Sequence, residues 1–291
     1  ILCSHGGLKT IRTGEGMTKP FSERLLLIIG IAVAVLGSLL PFIWFVLTSI
    51  KSQIQVEAIP PTWWPDGSIE FYQSAIIDHH LFNYIWNSVI VASSTTIIAL
   101  TIATPAAYAL ARIRLQGKVW ILGGLLCVAM FPQIVIAGPV WQILKHIGGL
   151  NTHWGLVLPY VTLTLPLAVW ILATFFKELP HELAEAAQID GCTTWQALYK
   201  VMLPLAAPGL FTTAILTFIY AWNEFFFALL FLTDPAKQTL PVGIALFQGE
   251  FTMPWGEIAA ASVLATLPLI FLVLLFQRGI ISGLSSGAVK G

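Results

Sequence analysis

Two stretches of this sequence hold polar residues where an apolar chain has reason to avoid them. The first is Trp222-Asn223-Glu224-Phe225, a carboxamide and a carboxylate inside a long apolar run. A carboxylate at the centre of a membrane span costs about 2.5–3.5 kcal/mol, so Glu224 is expected to face protein or a wet cavity and to have a partner there. A hydrogen bond across helices meets that need, to Asn223 or to a hydroxyl on a neighbour. A polar wall of a solute path, with Asn223 and Glu224 on it, meets it equally well. The second stretch is Glu182–Pro208, ELAEAAQIDGCTTWQALYKVMLPLAAP. A short helix opens near Pro180, where Leu183, Ala186 and Ala187 share a face and the alanines let another backbone come close. Gly191 permits a turn that a β-carbon resists. Thr193 caps a second helix, whose residues Trp195, Leu198, Tyr199 and Met202 follow i, i+3, i+4, i+7 spacing. Pro204 and Pro208 close the unit. Glu185 and Asp190 add charge to a surface that could dock a partner. This chemistry is contact, not bond-breaking.

Catalytic constellations do not emerge. The phosphate-cradling pattern GxxxxGK[ST] is absent, since no glycine directly precedes the lysine of Gly7-Leu8-Lys9-Thr10. No nucleophile–base pair or metal-ligand spacing stands out, and His79-His80 beside Asp78 reads as a wet loop. Cys3, Cys127 and Cys192 form no CxxC pair and read as reduced and incidental. Net charge is zero, which suggests no nucleic-acid partner.

The elements that must position these residues are membrane helices. Of 291 residues, 57% are hydrophobic and 10% charged, and mean hydropathy is +0.84. A soluble domain carries about a quarter charged residues, so this chain is expected to be an all-α integral membrane protein. Six segments reach the length of roughly 20 residues that a bilayer requires. They are Leu25–Leu47, Ile85–Leu110, Val119–Leu144, Leu156–Phe176, Leu205–Leu232 and Ala259–Phe276. The third is interrupted by Pro132, Gly138 and Pro139, and a kinked, pathway-lining helix is expected there. With the N-terminus in the cytoplasm, eleven Lys and Arg fall inside and only Lys51, Lys145 and Lys237 outside. That bias places both termini and the Glu182–Pro208 elbow on the cytoplasmic side of a cell membrane.

The remaining segments fill in this plan. Residues 1–19 carry no apolar signal-peptide core, and Met17 is a candidate start. Outside, Trp63-Trp64 among prolines suits the headgroup level, and an amphipathic stretch follows at Ile69–Ile77. The hydroxyl run Ser93, Ser94, Thr95, Thr96, Thr101, Thr104 is expected to join helices.

At the elbow, Glu185-Ala186-Ala187, Asp190-Gly191 and Leu203-Pro204 resemble the EAA loop of permease subunits of binding-protein-dependent ABC importers. The form is that of the carbohydrate-uptake branch, similar to the second maltose-importer permease. Cys192 and Leu198 depart from the small residue and the phenylalanine common there. Asn87-Ser88, Tyr108-Ala109-Leu110-Ala111-Arg112, Leu150-Asn151-Thr152, Leu158-Pro159-Tyr160, Leu165-Pro166-Leu167 and the WNEF tetrapeptide continue the likeness. So does the tail Gly283–Gly291, close to GLTAGAVKG. The likeness runs from about Asn87 to Gly291.

The resemblance implies a type I importer permease with a cytoplasmic tail over 1–24, a six-span domain over 25–282 with its coupling loop at 177–205, and a C-terminal tail over 283–291. It also implies a second homologous permease, an ATPase dimer holding ATP and Mg, an extracytoplasmic sugar-binding protein, and a di- or oligosaccharide or glycoside as cargo. This chain would bind no cofactor and would not be an enzyme. Glu185, Ala186, Ala187, Asp190, Gly191, Trp195, Leu198, Met202 and Pro204 would couple it to the ATPase. Gln248 and Gly249, in the last outer loop, would contact the binding protein. The tail would enter the ATPase interface, where composition alone suggests a flexible end. The alternative from another class is an ATP-independent secondary transporter or channel subunit, expected to show inverted repeats or several intramembrane charges.

Overall fold

The computed structural model describes residues 21–113, 116–247 and 253–288, and side-chain surroundings for 23, 25–113, 116–247 and 253–276. The described chain is helical throughout. In order, the helices are α1 (Phe21–Ser49), α2 (Gln53–Val56), α3 (Glu70–Ile77), α4 (Leu81–Arg112), α5 (Lys118–Ala129), α6 (Gln133–His146) and α7 (His153–Glu178). After these come α8 (His181–Ile189), α9 (Thr194–Gln196), a π-helical turn (Ala197–Met202) and α10 (Leu203–Leu205). The series ends with α11 (Ala207–Asn223), α12 (Phe226–Phe231), α13 (Leu240–Ala245) and α14 (Trp255–Ala288). Four helices are long and apolar enough to cross a membrane, or six if each of two sharply bent pairs counts as one span.

The part of α1 up to Phe45 forms a unit of its own, an apolar helix with side chains exposed nearly all round, as a lipid-facing helix requires. The second unit, from Val46 onward, is organised on the long pair α4 and α7. Helix α11 packs on both and on α14, while α5 packs on α7. Close approach is built in where α11 meets α7. A β-carbon on Gly209 would come within 2.3 Å of the Phe175 ring, so only glycine fits there.

Two buried clusters mark the two ends of this unit. One gathers Leu81, Val91, Tyr160, Phe227, Phe231 and their neighbours. The other gathers Tyr108, Leu172, Phe176, Ala184, Leu198, Met202 and Ala206. At the first end, Asn151 Oδ1 accepts from the backbone N–H groups of Thr233 (2.7 Å) and Asp234 (2.9 Å). Nearby, Asn87 Nδ2 donates to the carbonyls of Ala236 and Gln238, and Leu240 N–H donates to Ser88 Oγ. Also there, Glu257 accepts from Ser74 Oγ and meets His79 Nε2, each at 2.8 Å, while the His79 ring stacks on Phe247. At the opposite end, Arg112 Nη2 donates to the carbonyl of Leu179, where α7 gives way to α8.

Several expectations need correction. The third span is two helices meeting at 88°. Its break sits at Pro132, which lacks an N–H and disfavours helix in the residue before it; Gly138 and Pro139 lie inside α6. The fifth span does not run unbroken from Leu205 to Leu232. It starts at Ala207 after an 81° bend and is interrupted at Glu224-Phe225. The hydroxyls of Thr96 and Thr101 do not join helices by hydrogen bonds. They turn back to the carbonyls of Ala92 and Ile97, four residues earlier. His79 is no isolated wet side chain, because it is tied to Glu257. Backbone helix also continues through the start of the tail to Ala288, where composition suggested a flexible end.

Candidate functional sites

The elbow is built by local rules that its sequence carries openly. Helix α8 stops because Gly191 adopts φ +84°, a conformation that costs a residue with a β-carbon about 1–2 kcal/mol. The N–H of Gly191 donates to Gln188 O (3.0 Å) and that of Cys192 to Ala187 O (2.9 Å), the paired bonds of a Schellman ending. Thr193 then starts the second arm with a capping box. Its Oγ accepts from Gln196 N–H, and the Gln196 side chain accepts from Thr193 N–H. The arm ends in an 81° bend about Ala206, beyond which Pro208 occupies the first turn of α11.

Burial divides the elbow residues into two groups. Glu185, Ala186, Asp190, Gly191, Trp195 and Pro204 are exposed. Ala187 is buried, and Leu198 and Met202 are buried in one cluster with Ala184 of α8 and the ends of α4 and α7. The expected single face of Trp195, Leu198, Tyr199 and Met202 is therefore split. The π-helical turn spreads its residues more widely than an α-helix does. Ala197, Leu198 and Met202 face inward, while Trp195 and Tyr199 face outward with stacked rings 6.0 Å apart. Leu198 and Met202 thus hold the arm to the body, while the stacked Trp195 and Tyr199 rings, like Glu185 and Asp190, stay exposed.

The second site lies where the two bent spans meet. Glu224 is buried at 7% exposure, with extended backbone between α11 and α12. Its carboxylate accepts from the N–H groups of Phe227 (3.1 Å) and Ala228 (3.4 Å), the unpaired donors opening α12, and from the hydroxyl of Tyr160 on α7. Negative charge at a helix N-terminus is electrostatically favoured, so Glu224 finds its partners in the opening amides of α12 and, across helices, in the Tyr160 hydroxyl. Asn223 is exposed and donates through Nδ2 to Ile219 O at 2.8 Å. Gln133, the first residue of α6, donates through Nε2 to the Tyr220 hydroxyl at 2.7 Å. Gln133, Tyr220, Asn223 and Glu224, with Ile219, Phe225 and Phe226, line a cleft of about 430 Å³. Nothing local marks Tyr160 and Gln133, 64 and 91 positions away, as neighbours of Glu224, while Tyr220, four residues before it, carries a helical i, i+4 spacing as its only signal. Gln248 and Gly249 lie outside the described residues.

Residues 103–285 match the family described as binding-protein-dependent transport system inner membrane component. The chain belongs to that family. It is 44% identical over 278 residues to the trehalose/maltose transport system permease protein MalG of Thermococcus litoralis, covering 94% of this chain and 100% of that one. It is 40% identical over 285 residues to the sulfoquinovosyl glycerol transport system permease protein SmoH of Agrobacterium fabrum, covering 98% and 100%. Against the trehalose transport system permease protein SugB of Mycobacterium tuberculosis the identity is 43% over 259 residues, covering 87% and 93%. In fold, it superposes on a chain of a bacterial ABC transporter that imports the acidic polysaccharide alginate, with a TM-score of 0.75 at 22% identity, covering 89% of this chain and 98% of that one. The protein is thus an ABC importer permease subunit of the carbohydrate-uptake branch, multi-pass and non-catalytic. The secondary-transporter alternative falls.

Proposed function

We propose that this chain forms half of the translocation pathway of a binding-protein-dependent importer for a di- or oligosaccharide or glycoside. In this reading α5 with α6 makes one span and α11 with α12 another, giving six with the four long helices, and the Glu182–Pro208 elbow is the cytoplasmic EAA coupling loop, within 177–205. The pathway domain is 25–282, and the tails 1–24 and 283–291 lie in the cytoplasm beneath an inner or plasma membrane. A second homologous permease completes the pathway, an ATPase dimer binds ATP and Mg, and an extracytoplasmic binding protein delivers the sugar.

The observation that carries this reading is the division of the elbow. Leu198 and Met202, with Ala184, lock it to the ends of α4 and α7, while Glu185, Ala186, Asp190, Trp195 and Pro204 stay exposed. A rigid body presenting charge and aromatic surface suits a cleft in a partner ATPase. Because α7 leads directly into it and α11 directly out, a shift of the elbow tilts both spans and exchanges inward-open for outward-open states.

Tagging the chain and purifying it from its native membrane tests the reading. A nucleotide-binding ATPase and a second six-span permease are expected to remain bound. Both are expected to be lost or weakened in Gly191→Pro, because proline removes the N–H that donates to Gln188 and excludes φ +84°. A stable homo-oligomer without an ATPase would overturn the proposal. For Gln248 and Gly249 the corresponding test is stimulation of ATPase by the binding protein. The Gln248→Ala, Gly249→Ala double variant is expected to blunt it, and unchanged stimulation would remove them from the binding-protein contact.

A further inference from the structure

The cleft between the bent spans has a chemical character that bears on what passes through it. Its polar groups are neutral amides and a phenol, and they have bonding capacity left over. Asn223 uses Nδ2 on Ile219 O, and Gln133 uses Nε2 on the Tyr220 oxygen. That leaves Asn223 Oδ1 and Gln133 Oε1 as acceptors and the Tyr220 O–H as a donor, with no protein partner among the described residues. Glu224, by contrast, spends its carboxylate on Phe227 N–H, Ala228 N–H and the Tyr160 hydroxyl. It contributes negative charge to the cleft wall without a free face for binding. Ile219, Phe225 and Phe226 supply apolar surface, and no Lys, Arg or His is among the lining residues. The volume of about 430 Å³ falls within the range of roughly 300–1,000 Å³ typical of small-molecule sites.

We infer that this cleft is a transit site for a neutral sugar or polyol, held by Gln133, Tyr220 and Asn223, and that it disfavours anionic sugars. The inference rests on the importer reading and adds the substrate class. Sugar hydroxyls both donate and accept, which matches two amide oxygens and one phenolic proton, while their C–H faces match the apolar wall. An acidic sugar brings a carboxylate or sulfonate toward Glu224 with no cation among this chain's lining residues to offset it.

The test uses the purified importer complex with its partner chains and without the binding protein, so that selection upstream plays no part. Equilibrium binding is measured for radiolabelled trehalose and maltose as neutral probes, and for a uronic-acid disaccharide of the same size. Binding of at least one neutral disaccharide is expected, with the uronide weaker by about ten-fold or more. Tyr220→Phe and Asn223→Ala are each expected to weaken neutral-sugar binding by about five-fold, the effect of one lost hydrogen bond. Gln133→Arg is expected to raise uronide binding, a gain that a misfolded variant cannot produce. Uronide binding equal to that of the neutral sugars, failure of both neutral probes to bind, or indifference to the Tyr220 and Asn223 changes would overturn the inference. Loss of the ATPase and second permease from the native preparation would instead mark failure of the importer reading, and this inference would fall with it.

Discussion

Glu224 shows how one residue decides the path of a helix. Between α11 and α12 the chain leaves helical geometry, and the carboxylate takes up two amide donors that the break exposes. Removing it in Glu224→Ala strands those donors and the Tyr160 hydroxyl in a buried place. A buried donor left unsatisfied costs about 1–3 kcal/mol. The purified subunit is therefore expected to unfold at clearly lower temperature, as followed by thermal melting in detergent. Glu224→Gln keeps an oxygen for the amides but loses the charge that favours the start of α12, so a smaller loss is expected, of about 1 kcal/mol. Melting of the alanine variant at the native temperature would show that the break in the span does not depend on this side chain. From sequence, the residue's cost and its need for a partner were plain. The partner's identity was not, because Tyr160 lies on α7, 64 residues earlier.

At the scale of elements, the elbow is the part most directly written in the chain. An Asp-Gly ending, a threonine cap with glutamine three residues on, and closing prolines each act within a few residues, so they are readable without tertiary knowledge. What the spacing could not tell was which face would be buried. Leu198 and Met202 are 2% and 0% exposed and pack on their own chain. Met202→Ala is expected to destabilise the elbow by about 2–5 kcal/mol, as for other fully buried large-to-small changes. Limited proteolysis should then cut between Gln188 and Thr193 much faster than in the native protein. Trp195→Ala, which alters an exposed ring, is expected to leave that cleavage rate near native while weakening retention of the ATPase on purification. If Trp195→Ala retains the ATPase as firmly as native protein does, Trp195 is not part of the docking surface.

At the largest scale, the separation of the two ends of the unit from Val46 onward is the central fact. Loops around Asn87, Asn151, Thr233 and Glu257 interlock at one end, and the elbow joins Arg112 and the C-terminus of α7 at the other. Lysine and arginine counts in the sequence predict the same division of the loops. With the three native cysteines replaced, a single cysteine at Glu185 is expected to react with a membrane-impermeant maleimide only in inside-out vesicles. One at Asp66 or Asp234 should react only on intact cells. Labelling of both positions from one side would refute this topology.

Composition, span lengths and the charge bias determined from sequence alone that this is a helical membrane protein. They do so because hydrocarbon forbids unpaired backbone and leaves helices as the economical solution. The short-range signals of the elbow determined its turn and caps for a similar reason, since each depends on groups only three to five residues apart. Pro132 already marked the break in the third span, but tertiary structure alone decided that the fifth breaks at Glu224-Phe225 and that the two breaks meet. It also decided that Glu224 is held by Tyr160 and α12, and that Gln133 of α6 meets Tyr220 at a cleft that Asn223 also lines. Those outcomes depend on contacts between helices far apart in sequence, and inside a bilayer such contacts are chosen by close packing and hydrogen bonding between particular side chains, which hydrophobicity does not distinguish.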